Sequence, residues 1–130
     1  MKKFLLSLGL LVFWTPIVFA QSKTVKAESG KPVQALRIYS VGPDCKSLSI
    51  GKPYITEEPK HGKAYLKSQN VAVDHQRCGK ITVQATEIYY RSKAGYKGSD
   101  SFDLSLVREA DQTSSGGRET QIFRFPVEVR

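Results

Sequence analysis

The amino-acid sequence predicts an all-β fold, a two-sheet antiparallel sandwich of about seven strands with one disulfide. Most segments alternate apolar and polar residues with period two, and none sustains the stripe of an amphipathic helix. Turn signals rich in Gly and Pro separate these segments at short intervals. The two cysteines of the chain are an even pair that suits one structural bridge. Short strands at this spacing favour a sandwich over a barrel or a parallel sheet.

The start of the chain has the features of a signal peptide, residues 1–20, which leaves residues 21–130 as a single mature domain. Lys2 and Lys3 form a positively charged start, residues 4–14 are mostly apolar, and Ala20 precedes the expected cleavage site. The apolar run is short for a membrane span, which disfavours an uncleaved anchor. The next residue is Gln21 rather than Cys, so a lipid anchor lacks its acceptor. We expect a bacterial protein that is periplasmic or secreted, with no transmembrane segment after cleavage.

The alternating segments follow one another along the mature chain, and the turns between them carry Gly, Pro and Asp. In chain order they are a weak strand at 24–27, then 33–41, a short edge piece at 47–50, 53–56, 63–67, 81–86, 87–90, 101–106 and 123–129. Residues 71–76 are ambiguous between an irregular loop and a short strand. The polar residues 110–117 are predicted to form a mobile loop. No linker or internal repeat divides the chain.

The apolar member of each alternation is expected to face the core. The cleanest inward face is that of Phe102, Leu104 and Leu106, with Asp103 and Ser105 pointing outward. The other inward sets are Leu36 and Ile38, Ala64 and Leu66, Ile81, Val83 and Ala85, Ile88 and Tyr90, and Phe123, Phe125, Val127 and Val129. Pro126 has no backbone N–H to donate, which predicts an edge position or a bulge in the last strand.

Cys45 and Cys78 are both in the part expected to be exported, and this predicts a disulfide between them. A redox pair or a metal site is disfavoured, because the sequence has no C-x-x-C motif and no third soft ligand near the cysteines. Closing a loop of this length restricts the unfolded chain by about 4 kcal/mol in the entropy model.

The stretch from Pro59 to Val107 combines a turn with Pro, His and Gly, an aromatic strand, and a G-x-x-G-x-D-x-F corner. It resembles bacterial immunoglobulin-like and cadherin-like modules, and above all small stand-alone exported versions from proteobacteria. The residues that carry the resemblance are Pro59, His61, Gly62, Tyr89, Tyr90, Gly95, Gly98, Asp100 and Phe102. The two cysteines occupy the places that the stand-alone versions use. The resemblance implies an immunoglobulin-like sandwich and an exported location, and it implies little about activity.

The corner also has a physical account. Gly95 and Gly98 can adopt positive φ at no steric cost, and Asp100 can accept hydrogen bonds from turn N–H groups before Phe102 enters the core. The functional alternative to this structural role is calcium binding by Asp100 with Asp103 or Asp111. It is disfavoured because calcium takes six or more oxygen ligands, and acidic residues here are sparse.

The sequence predicts no enzyme, no metal site and no cofactor. His61, His75 and Asp74 lack the spacing of a zinc site, and the two histidines are expected to be exposed. No nucleophile elbow and no phosphate-binding glycine loop occurs. The adjacent Glu57 and Glu58 point to opposite faces of a strand, which disfavours a paired-carboxylate hydrolase.

The chain is basic, with a net charge of +8 that falls to +6 after loss of the two signal lysines. Basic residues gather near the first turn and near the aromatic strand, beside exposed tyrosines. The candidate binding surface comprises Lys60, Lys63, Lys67, Tyr89, Arg91, Lys93, Tyr96 and Lys97. Such a surface attracts an acidic envelope polymer or glycan, or a negatively charged protein. The alternative is that these lysines only solubilise the domain and protect sheet edges.

These observations favour a monomeric, non-enzymatic binding module of the bacterial envelope or host surface. One alternative is a small secreted inhibitor of a hydrolase such as lysozyme or a protease, which would present residues 110–117 or 69–77 to a cleft. Another is a structural accessory of an envelope complex. Nucleic acid is not an expected partner, because no recognition motif is present and export separates the protein from most of it.

Overall fold

A computed structural model describes residues 23–109 and 118–130 and shows an all-β fold with nine strands in that part of the chain. The signal peptide and the loop at 110–117 predicted above lie outside the described residues. The strands are β1 (Val25–Ala27), β2 (Pro32–Ile38), β3 (Ser40–Val41), β4 (Ser47–Leu48), β5 (Pro53–Glu57), β6 (Gly62–His75), β7 (Gly79–Ser92), β8 (Gly98–Glu109) and β9 (Arg118–Val129). Among the described residues there is no helix with the length and hydropathy needed to cross a membrane.

The strands form two main sheets and one small one. The four-stranded sheet has the order β1-β9-β8-β5, the three-stranded sheet β2-β7-β6, and β3 pairs with β4. When the small β3–β4 hairpin is set aside, β2, β7 and β6 face β5, β8 and β9 as in an immunoglobulin-like sandwich, and β1 joins the sheet of the last strand, β9. The predicted fold class is therefore confirmed, with nine strands rather than about seven. One pairing was not expected: β1 runs parallel to β9, while all other pairs are antiparallel.

The core lies between the two main sheets. Tyr90 of β7 stacks on Phe102 of β8 across the interface, with ring centroids 6.2 Å apart. Phe102 in turn stacks on Phe125 of the neighbouring strand at 4.9 Å. The buried cluster comprises Val25, Ala27, Ala64, Ile88, Tyr90, Phe102, Leu104, Val127 and Val129. Apolar residues from both sheets thus share one interior, as the alternation predicts, but Phe123, which was also expected to face inward, is 39% exposed.

A single long hairpin replaces several short predicted segments. β6 and β7 each span 14 residues and pair from Gly62 with Ser92 to His75 with Gly79. The ambiguous residues 71–76 are therefore strand as far as His75. The two alternations predicted at 81–86 and 87–90 belong to one continuous strand.

The buried face of β7 changes along its length, which explains why its sequence shows two phases. Ile88 and Tyr90 face the core between the sheets, whereas Val83 and Ala85 are buried on the opposite face. There β3 and β4 contact β7, and the Gln84 N–H donates to the Ser47 hydroxyl at 3.0 Å. The β3–β4 hairpin therefore packs on the outer face of β7 and forms a second, smaller buried region there.

The disulfide joins these two outlying pieces, and its predicted pairing is confirmed. Cys45, between β3 and β4, is bonded to Cys78 at the tip of the long hairpin, with Cα atoms 5.7 Å apart. The Arg77 guanidinium adds hydrogen bonds of 2.8 Å to the carbonyls of Gly42 and Pro43. The β3–β4 hairpin is thus fastened to the end of β6–β7 by covalent and polar contacts.

Two residues of β8 differ from expectation in burial. Asp103 and Ser105 point away from the core, as the alternation requires, yet they are only 9% and 1% exposed. Side chains of the flanking strands cover them: Arg124 forms two hydrogen bonds with Asp103, and Thr56 bonds to Ser105. A polar residue on the outer face of a central strand is buried when larger neighbours lie across it.

Pro126 occupies an edge position within β9. Its pairing with Ser101 of β8 continues the register without a shift, so no bulge is present there. On the other side of β9, pairing with β1 begins only at Val127. The edge alternative is therefore the correct one, because the missing N–H falls just outside the three-residue ladder with β1.

Candidate binding face

The register of β6 with β7 brings together two basic groups that are distant in the sequence. Lys63 pairs directly with Arg91, Tyr65 with Tyr89, and Lys67 with Glu87. Directly paired residues and their alternate neighbours share one face of an antiparallel sheet. We call Lys63, Tyr65, Lys67, Tyr89 and Arg91 the basic–aromatic face. It points away from the core, since the intervening Ala64 and Tyr90 are buried within it.

Two tyrosines form the middle of this face. The rings of Tyr65 and Tyr89 are stacked with their centroids 5.4 Å apart and their planes 13° apart. The Lys67 ammonium lies 5.3 Å from the centre of the Tyr89 ring, within the range of a cation–π contact. Both tyrosines are half-buried rather than exposed, because their rings pack against each other and against neighbouring side chains. The sequence pointed to Tyr89 but gave no reason to select Tyr65.

The cations of the basic–aromatic face have no carboxylate partner among the residues that the structure describes. None of Lys63, Lys67 and Arg91 forms a salt bridge with an acidic side chain in the described residues. The Arg91 Nε donates a hydrogen bond of 2.8 Å to the Gly30 carbonyl, which orients its guanidinium without neutralising it. The positive charge of this face is therefore available to an external anion.

Beside the tyrosines lies a buried carboxylate that the sequence analysis did not single out. Glu87 is 1% exposed, and the Arg37 guanidinium donates to its Oε2 from Nη2 at 2.7 Å and from Nε at 3.0 Å. The Gln69 amide and the Tyr89 hydroxyl donate to its other oxygen. Arg37 holds the pKa of the Glu87 carboxyl below its ordinary value, although burial opposes this shift. Glu87 is thereby compensated and anchors the polar surface around it.

A bulge in β2 places Arg37 on the same face as Glu87. Gln34 pairs with Tyr89 and Arg37 with Glu87, whereas Leu36 pairs with the inward Ile88. The register shifts between Gln34 and Leu36, so one extra residue is accommodated there. Without the bulge, Gln34 and Arg37 would point to opposite faces, because they are three positions apart.

A cleft of about 650 Å³ opens at one end of the basic–aromatic face. Three cations, Lys63, Arg91 and Lys93, line it together with Tyr65, and Glu58 contributes one carboxylate. Gly62 and Ser92 complete the lining. The cleft is wide open to solvent, and its cations outnumber its single described carboxylate. We call this the basic cleft.

The close approach of β6 to β7 beneath the cleft depends on Gly62. A Cβ at this position would overlap the Arg91 carbonyl and lie 2.9 Å from the Ser92 Cα. Only glycine fits without moving the β7 backbone. The predicted turn glycine is therefore a contact residue between two strands.

Asp100 organises the turn next to the cleft. Its carboxylate accepts hydrogen bonds from the N–H groups of Lys60 and His61 at 3.0 and 3.1 Å, and from the Tyr90 hydroxyl at 2.7 Å. The Ser101 N–H adds a bond of 2.9 Å. The expected acceptance of turn N–H groups is found. The donors from Lys60 and His61 come from the turn some forty residues earlier, which the sequence did not indicate.

Three predicted surface residues lie around this turn. Tyr96 is half-buried: its ring stacks on His61 at 4.1 Å, and its hydroxyl donates to the Ser99 carbonyl at 2.5 Å. This tyrosine therefore packs within the turn rather than standing exposed. Lys60 and Lys97 are exposed, and neither belongs to the lining of the basic cleft. Gly95 and Gly98 have φ values of +86° and +134°, as their predicted role in the corner requires.

The histidines do not come together. His61 precedes β6 and His75 ends it, so about 45 Å of extended chain separates them. Both are half-buried rather than exposed; His75 Nδ1 accepts hydrogen bonds from the N–H groups of Arg77 and Cys78. Asp100 and Asp103 lie on opposite faces of β8, and Asp111 is outside the described residues. Within those residues, no three potential ligands are grouped as a metal site would require.

A second opening lies at the other end of the sandwich. This groove of about 960 Å³ is lined by the end of β2, the segment before β5 and the late part of β8. Tyr39 and Tyr54 border it and are 37% and 46% exposed. It was not predicted from the sequence, because its lining residues come from segments that are far apart in the chain.

Comparison of the chain with protein-family models, curated proteins and solved structures finds no match. The candidate site therefore depends on its geometry alone.

Proposed function

We propose that this protein is an exported, non-enzymatic binding module that holds a negatively charged envelope or host-surface partner on its basic–aromatic face. The observation that carries the proposal is the pairing of Lys63 with Arg91 beside the stacked Tyr65 and Tyr89. This places uncompensated cations next to partly exposed aromatic surface. Cations steer an acidic partner, and aromatic rings supply contact area at low entropic cost.

Two further observations support export and a binding role. The Cys45–Cys78 disulfide is consistent with an oxidising compartment, and the signal features of residues 1–20 agree with it. The resemblance of residues 59–107 to exported immunoglobulin-like modules points in the same direction. Next to this face, Arg37, Gln69 and Tyr89 form a compensated hydrogen-bond network around Glu87, which suits a rigid recognition surface.

The inhibitor alternative has less support. One of its candidate presenting segments, residues 69–77, is mostly strand and is paired with β7 as far as His75. The other, residues 110–117, lies outside the described residues. Rate assays of lysozyme and common proteases with excess purified domain test this alternative; a lowered rate would favour it over the binding module.

Affinity capture from bacterial envelope extract tests the proposal. The variant Lys63→Glu/Lys93→Glu reverses two charges at the basic cleft and leaves the Arg91 bond to Gly30 in place. The matched control Lys23→Glu/Lys26→Glu changes the net charge equally on exposed residues at the start of the domain. We expect the wild type and the control to retain the same acidic component and the face variant to lose it. Capture of the same material by all three proteins, or of none, would contradict the proposal.

A further inference from the structure

We infer that the ligand of the basic–aromatic face is an acidic polysaccharide, bound with an anionic group in the basic cleft and a sugar ring against Tyr65. This inference rests on the proposed function and names its ligand class. Tyr65 is the residue that connects the two parts of the site: it lines the basic cleft and also stacks on Tyr89. An anion held by Lys63, Arg91 and Lys93 therefore lies next to an aromatic ring.

The chemistry of the face changes along the strands in a way that suits a sugar chain. Cations come first at Lys63 and Arg91, followed by the aromatic pair two residues along each strand. Beyond the tyrosines come the amides of Gln34 and Gln69, beside the compensated Glu87. Acidic sugars present the complementary order, with a charged group, an apolar ring face and hydroxyls that bond to amides and paired charges. From Lys63 to Gln69 the face extends about 20 Å.

A simple polyanion fits this arrangement less well. A chain with a charge on every unit calls for cations along its whole length; proteins that bind single-stranded nucleic acid have such a groove together with aromatic side chains. Here the cations concentrate at the cleft, and Lys67 is the cation that follows on β6, where it lies over the Tyr89 ring. The rest of the face consists of aromatic rings, side-chain amides and the Glu87 carboxylate, whose charge Arg37 already compensates. Charge alone therefore accounts for only one end of the site.

The test compares acidic polysaccharides with other polyanions. Polygalacturonate and dextran sulfate present carboxylate and sulfate groups on six-membered sugar rings, whereas polyglutamate, inorganic polyphosphate and single-stranded DNA present charge on peptide, phosphate and deoxyribose–phosphate backbones. Binding to the full mature domain is measured by calorimetry at two salt concentrations. We expect at least one of the two polysaccharides to bind more tightly than all three other polymers, with weaker binding at high salt.

Three variants assign the binding to the site. Tyr65→Leu removes the ring and keeps an apolar side chain, and Tyr54→Leu is the matched control on the opposite sheet. We expect Tyr65→Leu to weaken polysaccharide binding about tenfold, the scale of one aromatic contact, and to leave polyphosphate binding unchanged. Lys63→Glu/Lys93→Glu should weaken binding of every polyanion.

The outcomes separate the two proposals. Equal, charge-dependent binding of all five polymers with no effect of Tyr65→Leu would overturn the sugar assignment and leave the proposed function intact. Tightest binding to DNA would overturn it in favour of a nucleic-acid ligand. Absence of charge-dependent binding to any polymer, together with unchanged capture by Lys63→Glu/Lys93→Glu, would overturn both.

Discussion

The Tyr90 hydroxyl donates a 2.7 Å hydrogen bond to the Asp100 carboxylate, and this bond fastens the three-stranded sheet to the corner of the four-stranded sheet. Tyr90 is fully buried in the core, whereas Asp100 lies at the start of β8 and also accepts the N–H groups of Lys60 and His61. One carboxylate thus fixes the turn before β6, on which the position of the basic cleft depends.

We expect Asp100→Asn to destabilise the domain by about 3 kcal/mol, because one of its two acceptor oxygens becomes a donor that faces other donors. Urea unfolding of the mature protein measures the change. Asp74→Asn, at an exposed position near the tip of the long hairpin, is the control and should have little effect. Equal stability of Asp100→Asn and the wild type would show that the turn does not depend on this carboxylate.

Stability should fall as the pH rises above about 10. Burial, followed by the bond to Asp100, raises the pKa of the Tyr90 phenol well above its ordinary value of 10.0. The folded state then binds more protons than the unfolded state at alkaline pH, so the contribution is present below pH 10 and lost above it. Tyr90→Phe should show a shallower alkaline decline in urea-unfolding free energy than Tyr54→Phe. Identical slopes would contradict this assignment.

Stability should also fall in acid, and Glu87 should account for part of the loss. Arg37 holds the pKa of the Glu87 carboxyl below its ordinary value of 4.5, so the unfolded state binds more protons below that pH. The contribution is present above pH 4.5 and is lost as the pH falls through the folded-state pKa. We expect Glu87→Gln to be less stable than the wild type at neutral pH and to lose less on acidification. Glu58→Gln is the exposed control, and an acid slope that Glu87→Gln leaves unaltered would argue against the assignment.

Reduction of the disulfide should lower the melting temperature clearly. The bridge joins cysteines 33 residues apart, for which the entropy model gives about 4 kcal/mol. Because it fastens the β3–β4 hairpin to the tip of β6–β7, hydrogen exchange should accelerate first at that end. Cys45→Ala/Cys78→Ala should behave like the reduced protein and be insensitive to reductant. Two titratable thiols in the native exported protein would show that the pairing does not form.

Export should remove the only tryptophan of the chain. Trp14 lies within residues 1–20, so the mature domain beginning at Gln21 is expected to contain tyrosine but no tryptophan. Intact mass and emission spectra of protein from the periplasm and the medium measure this directly. Tryptophan emission from the exported protein would place the cleavage site elsewhere or indicate a retained anchor.

Several properties follow from short-range patterns, and these were predicted well. Alternation with period two, together with glycine and proline turns, identified the all-β fold and most of its strands. The cysteine count identified the bridge between Cys45 and Cys78. The corner motif indicated that Gly95 and Gly98 can adopt positive φ, and both do. Each of these inferences concerns neighbouring residues or a pairing that admits one solution.

The candidate site could be predicted only in part. Lys63 and Arg91 were selected as basic residues in separate groups, and their register made them neighbours. Tyr65 and Glu87 were missed, because their importance depends on the residues opposite them. Tyr96 was selected as exposed, but His61 stacks on its ring.

By itself, the sequence determined the fold class, the position of most strands and the disulfide, because these depend on local periodicity, turn chemistry and a single cysteine pair. The tertiary structure decided which face of each strand is covered and which side chains meet across strands. Two examples are the bulge in β2 and the packing of the β3–β4 hairpin on β7, since both arise from contacts between distant segments. Burial of Glu87, and the meeting of Lys63 with Arg91, are consequences of strand register, which alternation along one strand does not specify.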